Sequence, residues 1–177
     1  RNTTGTAIRF QSAAGNHSRI ENSFIHGNQS GLSVDTRVTN ITVFQNIFYN
    51  MSQDSGAVVF NSTSLNLSSN NFTSLRQSTL LIFERAASNI DVSHNNFTHP
   101  AGAQGYAIFL YGGNDSRFFN NTLSINTLSS KRGFLNNITL DGNNFVPANT
   151  SYHNLNFNHS TNITLINNKF TSNYYFA

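Results

Sequence analysis

Cysteine and tryptophan are absent from this 177-residue chain, methionine occurs once, and only 10% of the residues are charged. Without cysteine, neither disulfides nor thiolate metal sites contribute to the fold, and the redox compartment leaves no mark on the sequence. No apolar run approaches the roughly 18 residues that a membrane-spanning helix needs. No signal peptide opens the chain, which starts at Arg1. A single domain over residues 1–177 is expected, as a processed or truncated piece of a longer precursor.

The formal charge of +3 comes from eight Arg and two Lys that are scattered rather than clustered. A nucleic-acid stripe needs basic residues repeating on one face with stacking aromatics, so no nucleic-acid partner is expected. Six histidines, His17, His26, His94, His99, His153 and His159, show no helical i, i+4 pair. Imidazole metal sites usually need three or four convergent ligands, so neither a metal nor a cofactor is expected.

What the chain does have is a period. Asn stands two residues before a large apolar anchor seven times, as Asn22/Phe24, Asn46/Phe48, Asn70/Phe72, Asn95/Phe97, Asn121/Leu123, Asn143/Phe145 and Asn168/Phe170. Successive anchors are 24, 24, 25, 26, 22 and 25 residues apart, the self-similarity of a solenoid. Apolar residues also recur seven and five positions before the anchors, as in Leu65/Leu67, Ile90/Val92 and Ile138/Leu140. That alternation is a half-buried strand, and the change of parity at the anchor requires one turn residue between them.

A second apolar strand follows each anchor: Leu32/Val34, Val58/Phe60, Leu81/Phe83, Ile108/Leu110 and Leu155/Phe157. Ile8/Phe10 and Phe134/Leu135 are the expected equivalents in the first and the shortest coil. Two strands plus bends in about 24 residues leave no room for a crossover helix. The expected fold is all-β, a parallel β-helix of about seven coils.

Phrases such as Thr39-Asn40-Ile41-Thr42-Val43 and Asn89-Ile90-Asp91-Val92-Ser93-His94-Asn95-Asn96-Phe97 resemble the right-handed β-helix family of pectate-lyase-like and NosD-type carbohydrate-binding surface repeats. The resemblance covers nearly the whole chain and implies the fold. It implies no single activity, because the same coil carries lyases, hydrolases, epimerases, adhesins and inert spikes. The hydrolase motifs of the family, Asn-Thr-Asp, Asp-Asp, Gly-His-Gly and Arg-Ile-Lys, are missing here.

A primary amide buried without partners costs about 1 to 3 kcal/mol. The seven Asn that precede anchors, Asn22, Asn46, Asn70, Asn95, Asn121, Asn143 and Asn168, are therefore expected to stack as an internal ladder at one bend. A different set of Asn begins N-x-Ser/Thr sequons: Asn2, Asn16, Asn28, Asn40, Asn50, Asn61, Asn66, Asn71, Asn96, Asn114, Asn120, Asn137, Asn149, Asn158 and Asn162. Chance pairing would give roughly 7 rather than 15. No ladder residue is among them, and Asn40, Asn137 and Asn162 share one register on an outward parity. N-glycosylation of an extracellular surface is one reading. The other is that Asn simply suits left-handed turns.

Seven carboxylates are available for chemistry: Glu21, Asp35, Asp54, Glu84, Asp91, Asp115 and Asp141. Glycoside hydrolysis needs two of them about 5 to 10 Å apart. Asp35 and Glu84, beside Arg37 and Arg85, each directly follow a second-strand apolar residue and form the only candidate pair, with an outer salt bridge as its structural reading. No catalytic residue is otherwise expected. The ends look uncapped, with Ile8 and Phe10 at one and Tyr174, Tyr175 and Phe176 at the other, which suggests head-to-tail contact with further copies of the chain. Two functions remain: a glycosylated filament, sheath, stalk or spike unit at the cell surface, or a protein that binds or cleaves polysaccharide.

Overall fold

The computed structural model describes residues 5–11, 16–27, 30–50, 57–74, 79–99, 106–124, 128–130, 135–146, 155–158 and 160–171. These residues form three parallel seven-stranded sheets and no helix. Strands Thr6–Phe10, Ser30–Val34, Val58–Phe60, Leu81–Phe83, Ile108–Leu110, Leu128–Ser130 and Leu155–Phe157 make the first sheet. The second runs through Arg19–Glu21, Thr39–Phe44, Thr63–Ser68, Ser88–Ser93, Ser116–Phe119, Asn136–Asp141 and Thr161–Ile166. The third joins Phe24–His26, Ile47–Tyr49, Asn71–Thr73, Asn96–Thr98, Thr122–Leu123, Asn144–Phe145 and Lys169–Phe170. The chain visits the sheets in that order once per coil, and the five inner coils have a neighbour on both sides.

Three strands per coil replace the two that alternation indicates. The extra one carries the anchor and is only two or three residues long, too short for a period of two to register in sequence. It forms because every extended segment of a coil meets the same segment of the next coil, about 4.8 Å away, and pairs with it. Phe134/Leu135 is corrected as well. The first-sheet strand of the sixth coil is Leu128–Ser130, where Leu128 pairs with Ile108 and Leu155, and Leu135 lies just before the following second-sheet strand.

Inward columns make the core. Phe48, Phe72 and Phe97 are fully buried and stack face to face, 4.8 and 4.9 Å between centroids. Leu123 interrupts the stack, and Phe145 and Phe170 resume it at 4.8 Å. Each such burial is worth about 1.5 to 3 kcal/mol. In the first coil the anchor is Ile25, paired with Phe48, whereas Phe24 points outward and is 61% exposed.

Beside the Phe column runs the amide ladder. The backbone N–H of Asn46 donates to Oδ1 of Asn70 (2.9 Å), that of Asn70 to Asn95 (2.8 Å), that of Asn95 to Asn121 (2.9 Å), that of Asn121 to Asn143 (3.0 Å) and that of Asn143 to Asn168 (2.9 Å). Each Nδ2 also donates to the next Oδ1 and to a carbonyl of the preceding coil: for Asn95 these are Asn121 Oδ1 (3.1 Å) and Leu67 O (2.8 Å). The ladder thus satisfies the backbone of the bend as well as the amides themselves. Asn22 is not part of it. Ser23 holds that position, its N–H donating to Asn46 Oδ1 at 3.0 Å, because the first coil is shifted by one residue relative to its Asn.

Asn22 instead occupies the left-handed position before the ladder, with φ 51°, as do Gln45, Ser69, His94, Asn120, Gly142 and Asn167 in later coils. This is the turn residue that the parity change requires. A second left-handed column, His17, Asn40, Ser64, Asn89, Asp115, Asn137 and Asn162, opens the second-sheet segment of each coil. Asn and Asp tolerate that region better than other residues with a Cβ.

Asn95→Leu removes the acceptor for Asn70 and the Nδ2 donor to Asn121, Leu67 and Ser93, while the backbone N–H to Asn121 stays. We expect a loss of about 1 to 3 kcal/mol in urea unfolding. The exposed Asn66→Ala is the control, and an equal effect from both would show that the ladder carries no stability.

Candidate functional site

Function on this scaffold must come from the outward columns, since the inward ones are filled. On the second sheet, alternation turns Asn66, Asp91 and Arg117 outward at one register position and Phe44, Ser68, Ser93, Phe119 and Asp141 at the next but one. Near the N-terminal end of this sheet an open groove of about 370 Å³ is lined by His17, Asn40, Ile41, Thr42, Ser64, Leu65, Asn66 and Asn89. Its rim is the left-handed column, so the side chains that border it are mostly amide, hydroxyl and imidazole.

Further along the same face the structure gathers a cluster that the sequence did not flag. Arg117 reaches Asp141 at 3.4 Å, and its guanidinium lies over the Phe119 ring at 4.4 Å. His94 meets Phe119 edge-on at 5.1 Å and has Asn120 Nδ2 3.5 Å from its Nε2. Asp91 pairs in register with Arg117. Counting back from the anchors would have found it: Asp91 and Arg117 both stand six residues before theirs, and Phe119 and Asp141 both stand four before. Arg19 over Phe44, 5.6 Å, repeats the cation–ring contact near the other end of the sheet.

The expected acid pair lies elsewhere. Asp35, Asn61 and Glu84 follow Val34, Phe60 and Phe83, which are paired in register on the first sheet, so Asp35 and Glu84 share a column two coils apart with Asn61 between them. Oδ1 of Asp35 accepts the Thr36 N–H at 2.7 Å, a local turn bond. Neither acid belongs to an ion pair; among the described residues the pairs are Arg19–Glu21 and Arg117–Asp141. The salt-bridge reading of Asp35 and Glu84 is therefore corrected.

His17 and His94 are left-handed turn residues, His26 is exposed on the third sheet, and His99 is buried. His153 and His159 lie outside the described residues. Among the described residues no group of three or more His, Asp or Glu could hold a metal ion.

Twelve of the sequon Asn are described. Asn40, Asn66, Asn71, Asn96, Asn114, Asn120, Asn137, Asn158 and Asn162 are exposed, and Asn16, Asn50 and Asn61 are half-buried. Asn2, Asn28 and Asn149 lie outside the described residues. At Asn40, Asn50, Asn120, Asn137 and Asn162 φ lies between 51° and 60°, so the backbone alone accounts for an Asn there. Asn66, Asn71 and Asn96 differ: they sit within strands, where Asn is disfavoured, and no left-handed backbone demands them. Asn40, Asn137 and Asn162 share a column, with Ser64, Asn89 and Asp115 separating the first from the other two. Asn162 Nδ2 donates to Asn137 Oδ1 (3.2 Å) and Asn137 Nδ2 to Asp115 Oδ1 (2.8 Å), a short outer ladder.

The architecture defines a parallel β-solenoid. The profile described as "Right handed beta helix region" matches residues 1–123 and 30–177, so the chain belongs to the right-handed β-helix family. No curated protein and no solved structure gives a match.

Arg117 is half-exposed, and an exposed ion pair with a cation–ring contact contributes about 1 kcal/mol or less. Arg117→Ala should therefore shift the urea midpoint only slightly. A large loss would make the cluster a structural clamp rather than a surface available to ligands.

Proposed function

We propose that this chain is an N-glycosylated structural unit of an extracellular surface. The observation that carries the reading is the placement of Asn66, Asn71 and Asn96. Each is an exposed strand residue at which neither burial nor a left-handed backbone calls for Asn, although Asn96 and Asn71 bond each other, and each has its hydroxyl residue, Ser68, Thr73 or Thr98, two positions on along the same strand. Period two turns both members of the sequon to one face. The ladder Asn, which glycans could not reach, are all followed at the second position by an apolar anchor. Glycopeptide mass spectrometry of native material should find sugar at these three sites. Unmodified peptides at all three would remove the reading.

Assembly is the second part of the proposal. In the last coil, Leu165 is 47% exposed and Ile166 43%, while the inner members of the Leu165 column, Leu67, Val92, Phe118 and Leu140, are buried. Ile8 and Phe10 of the first coil are likewise only half-buried. Tyr174, Tyr175 and Phe176 lie outside the described residues. The first coil of a second copy fits on this face by continuing the three sheets, and such a heterologous contact propagates into a filament. Leu165→Asp is expected to abolish polymer seen by light scattering while leaving the β-sheet circular dichroism unchanged. A wild-type protein that stays monomeric at high concentration would overturn the assembly.

A polysaccharide-binding reading is favoured by one feature, the Arg117, Phe119 and His94 cluster on an open sheet face. Affinity electrophoresis against acidic polysaccharides would detect it as retardation that Arg117→Ala removes.

A further inference from the structure

The outer face of the third sheet is polar for most of its length, but its first two coils are not. Phe24 is 61% exposed, Ile47 42% and Tyr49 38%. Phe24 and Tyr49 stack at 25° with centroids 6.2 Å apart, and His26 adds a third ring 5.1 Å from Phe24, tilted by 36°. Arg19 and Glu21 of the same coil pair with each other. This is a cluster of aromatic and aliphatic side chains open to solvent, the kind of surface that marks a contact.

One column relates the platform to a sequon. Phe24 pairs with Ile47, Ile47 with Asn71, and Asn71 with Asn96. Tyr49 pairs with Thr73, the hydroxyl residue of the Asn71 sequon. Asn71 is thus the first sequon residue beyond the platform, one coil from Ile47 and two from Phe24, or about 4.8 and 9.6 Å by strand spacing. Its amide is oriented too. Asn96 Nδ2 donates to Asn71 Oδ1 at 3.4 Å, so the oxygen faces the fourth coil. That bond engages Oδ1 and not Nδ2, the atom that would carry sugar.

We propose that the platform is the docking site of the protein's own glycan at Asn71, whose first pyranose rings lie over Tyr49 and Phe24. The inference rests on the glycosylation reading and deepens it. The chemistry is suited: the axial C–H groups on one face of a pyranose carry partial positive charge and meet the negative face of an aromatic ring, while the hydroxyls at the sugar's edge stay in water. The tether supplies the rest, because a covalently attached sugar one coil away holds a high effective concentration at the rings. A glycan so placed covers apolar surface that would otherwise be exposed, and it is held in one orientation.

The experiment uses the glycoprotein secreted from a glycosylating host, with occupancy at Asn71 established by glycopeptide mass spectrometry. The proposal expects ring-current-shifted sugar proton resonances that disappear in Phe24→Ser and in Tyr49→Ser. It also expects a double-mutant cycle between Phe24→Ser and Asn71→Gln to be non-additive in melting temperature, the Phe24 substitution lowering it only when the glycan is present. Because both side chains are exposed, neither substitution should unfold the coil. Occupied Asn71 with unshifted sugar resonances and an additive cycle would overturn the docking while leaving glycosylation intact. Asn71 bare while Asn66 and Asn96 carry sugar would overturn the docking alone, and all three bare would overturn both readings. Concentration-dependent association of the glycosylated protein that Phe24→Ser abolishes would also overturn it, by assigning the platform to a second copy.

Discussion

A side-chain amide that hydrogen-bonds along the solenoid axis is the interaction on which the rest of the structure depends. At each inner bend the Oδ1 of one Asn accepts both the backbone N–H and the Nδ2 of its counterpart in the preceding coil, and each Nδ2 closes a carbonyl of that coil. The bend therefore cannot satisfy its own polar groups, and it is complete only when the next coil is in place. Given a cost of about 1 to 3 kcal/mol for each buried group left unpaired, this is a strong source of cooperativity between neighbouring coils.

The ladder also explains where the period is strict and where it is loose. From the left-handed residue that opens the second-sheet segment to the anchor is eight residues in each of the seven coils, from His17 to Ile25 at the start and from Asn162 to Phe170 at the end. The spacing of whole coils nevertheless varies. Variation is absorbed on either side of the first-sheet strand, outside the eight-residue segment that carries the buried ladder. The sixth coil, with Leu128 only five residues after its predecessor's anchor Leu123, is the extreme case.

One residue type serves two purposes here. Buried Asn binds the coils together, and each ladder Asn from Asn46 to Asn168 has an apolar anchor two places later, whereas exposed strand Asn such as Asn66, Asn71 and Asn96 have a hydroxyl residue there, which is what the proposed glycosylation needs. A chain with 10% charged residues has little electrostatic means of staying apart from its neighbours. A coat of neutral, hydrated sugar would supply that separation while leaving the axial ends free for stacking.

The solenoid, its period, its inner aliphatic columns and the ladder from Asn46 to Asn168 were legible in sequence, because each is a local pattern repeated coil after coil. Asn22 and Phe24 misled because a register shift of one residue moves an Asn from the ladder to the turn and a Phe from core to surface, and only pairing with the next coil reveals the shift. The short third strands were hidden for the same reason, since their pairing comes from the neighbour rather than from their own composition. Surface clusters were the least visible: Arg117, Phe119, Asp141 and His94 become neighbours only once coils are stacked in register, as do Phe24, Tyr49 and Asn71. The sequence by itself determined how often residues face inward and, in every coil but the first, which anchors do so, since that follows from backbone periodicity. Which outward residues meet was decided by tertiary structure, since contacts across about 4.8 Å between coils depend on a register that hydrogen bonds between those coils set.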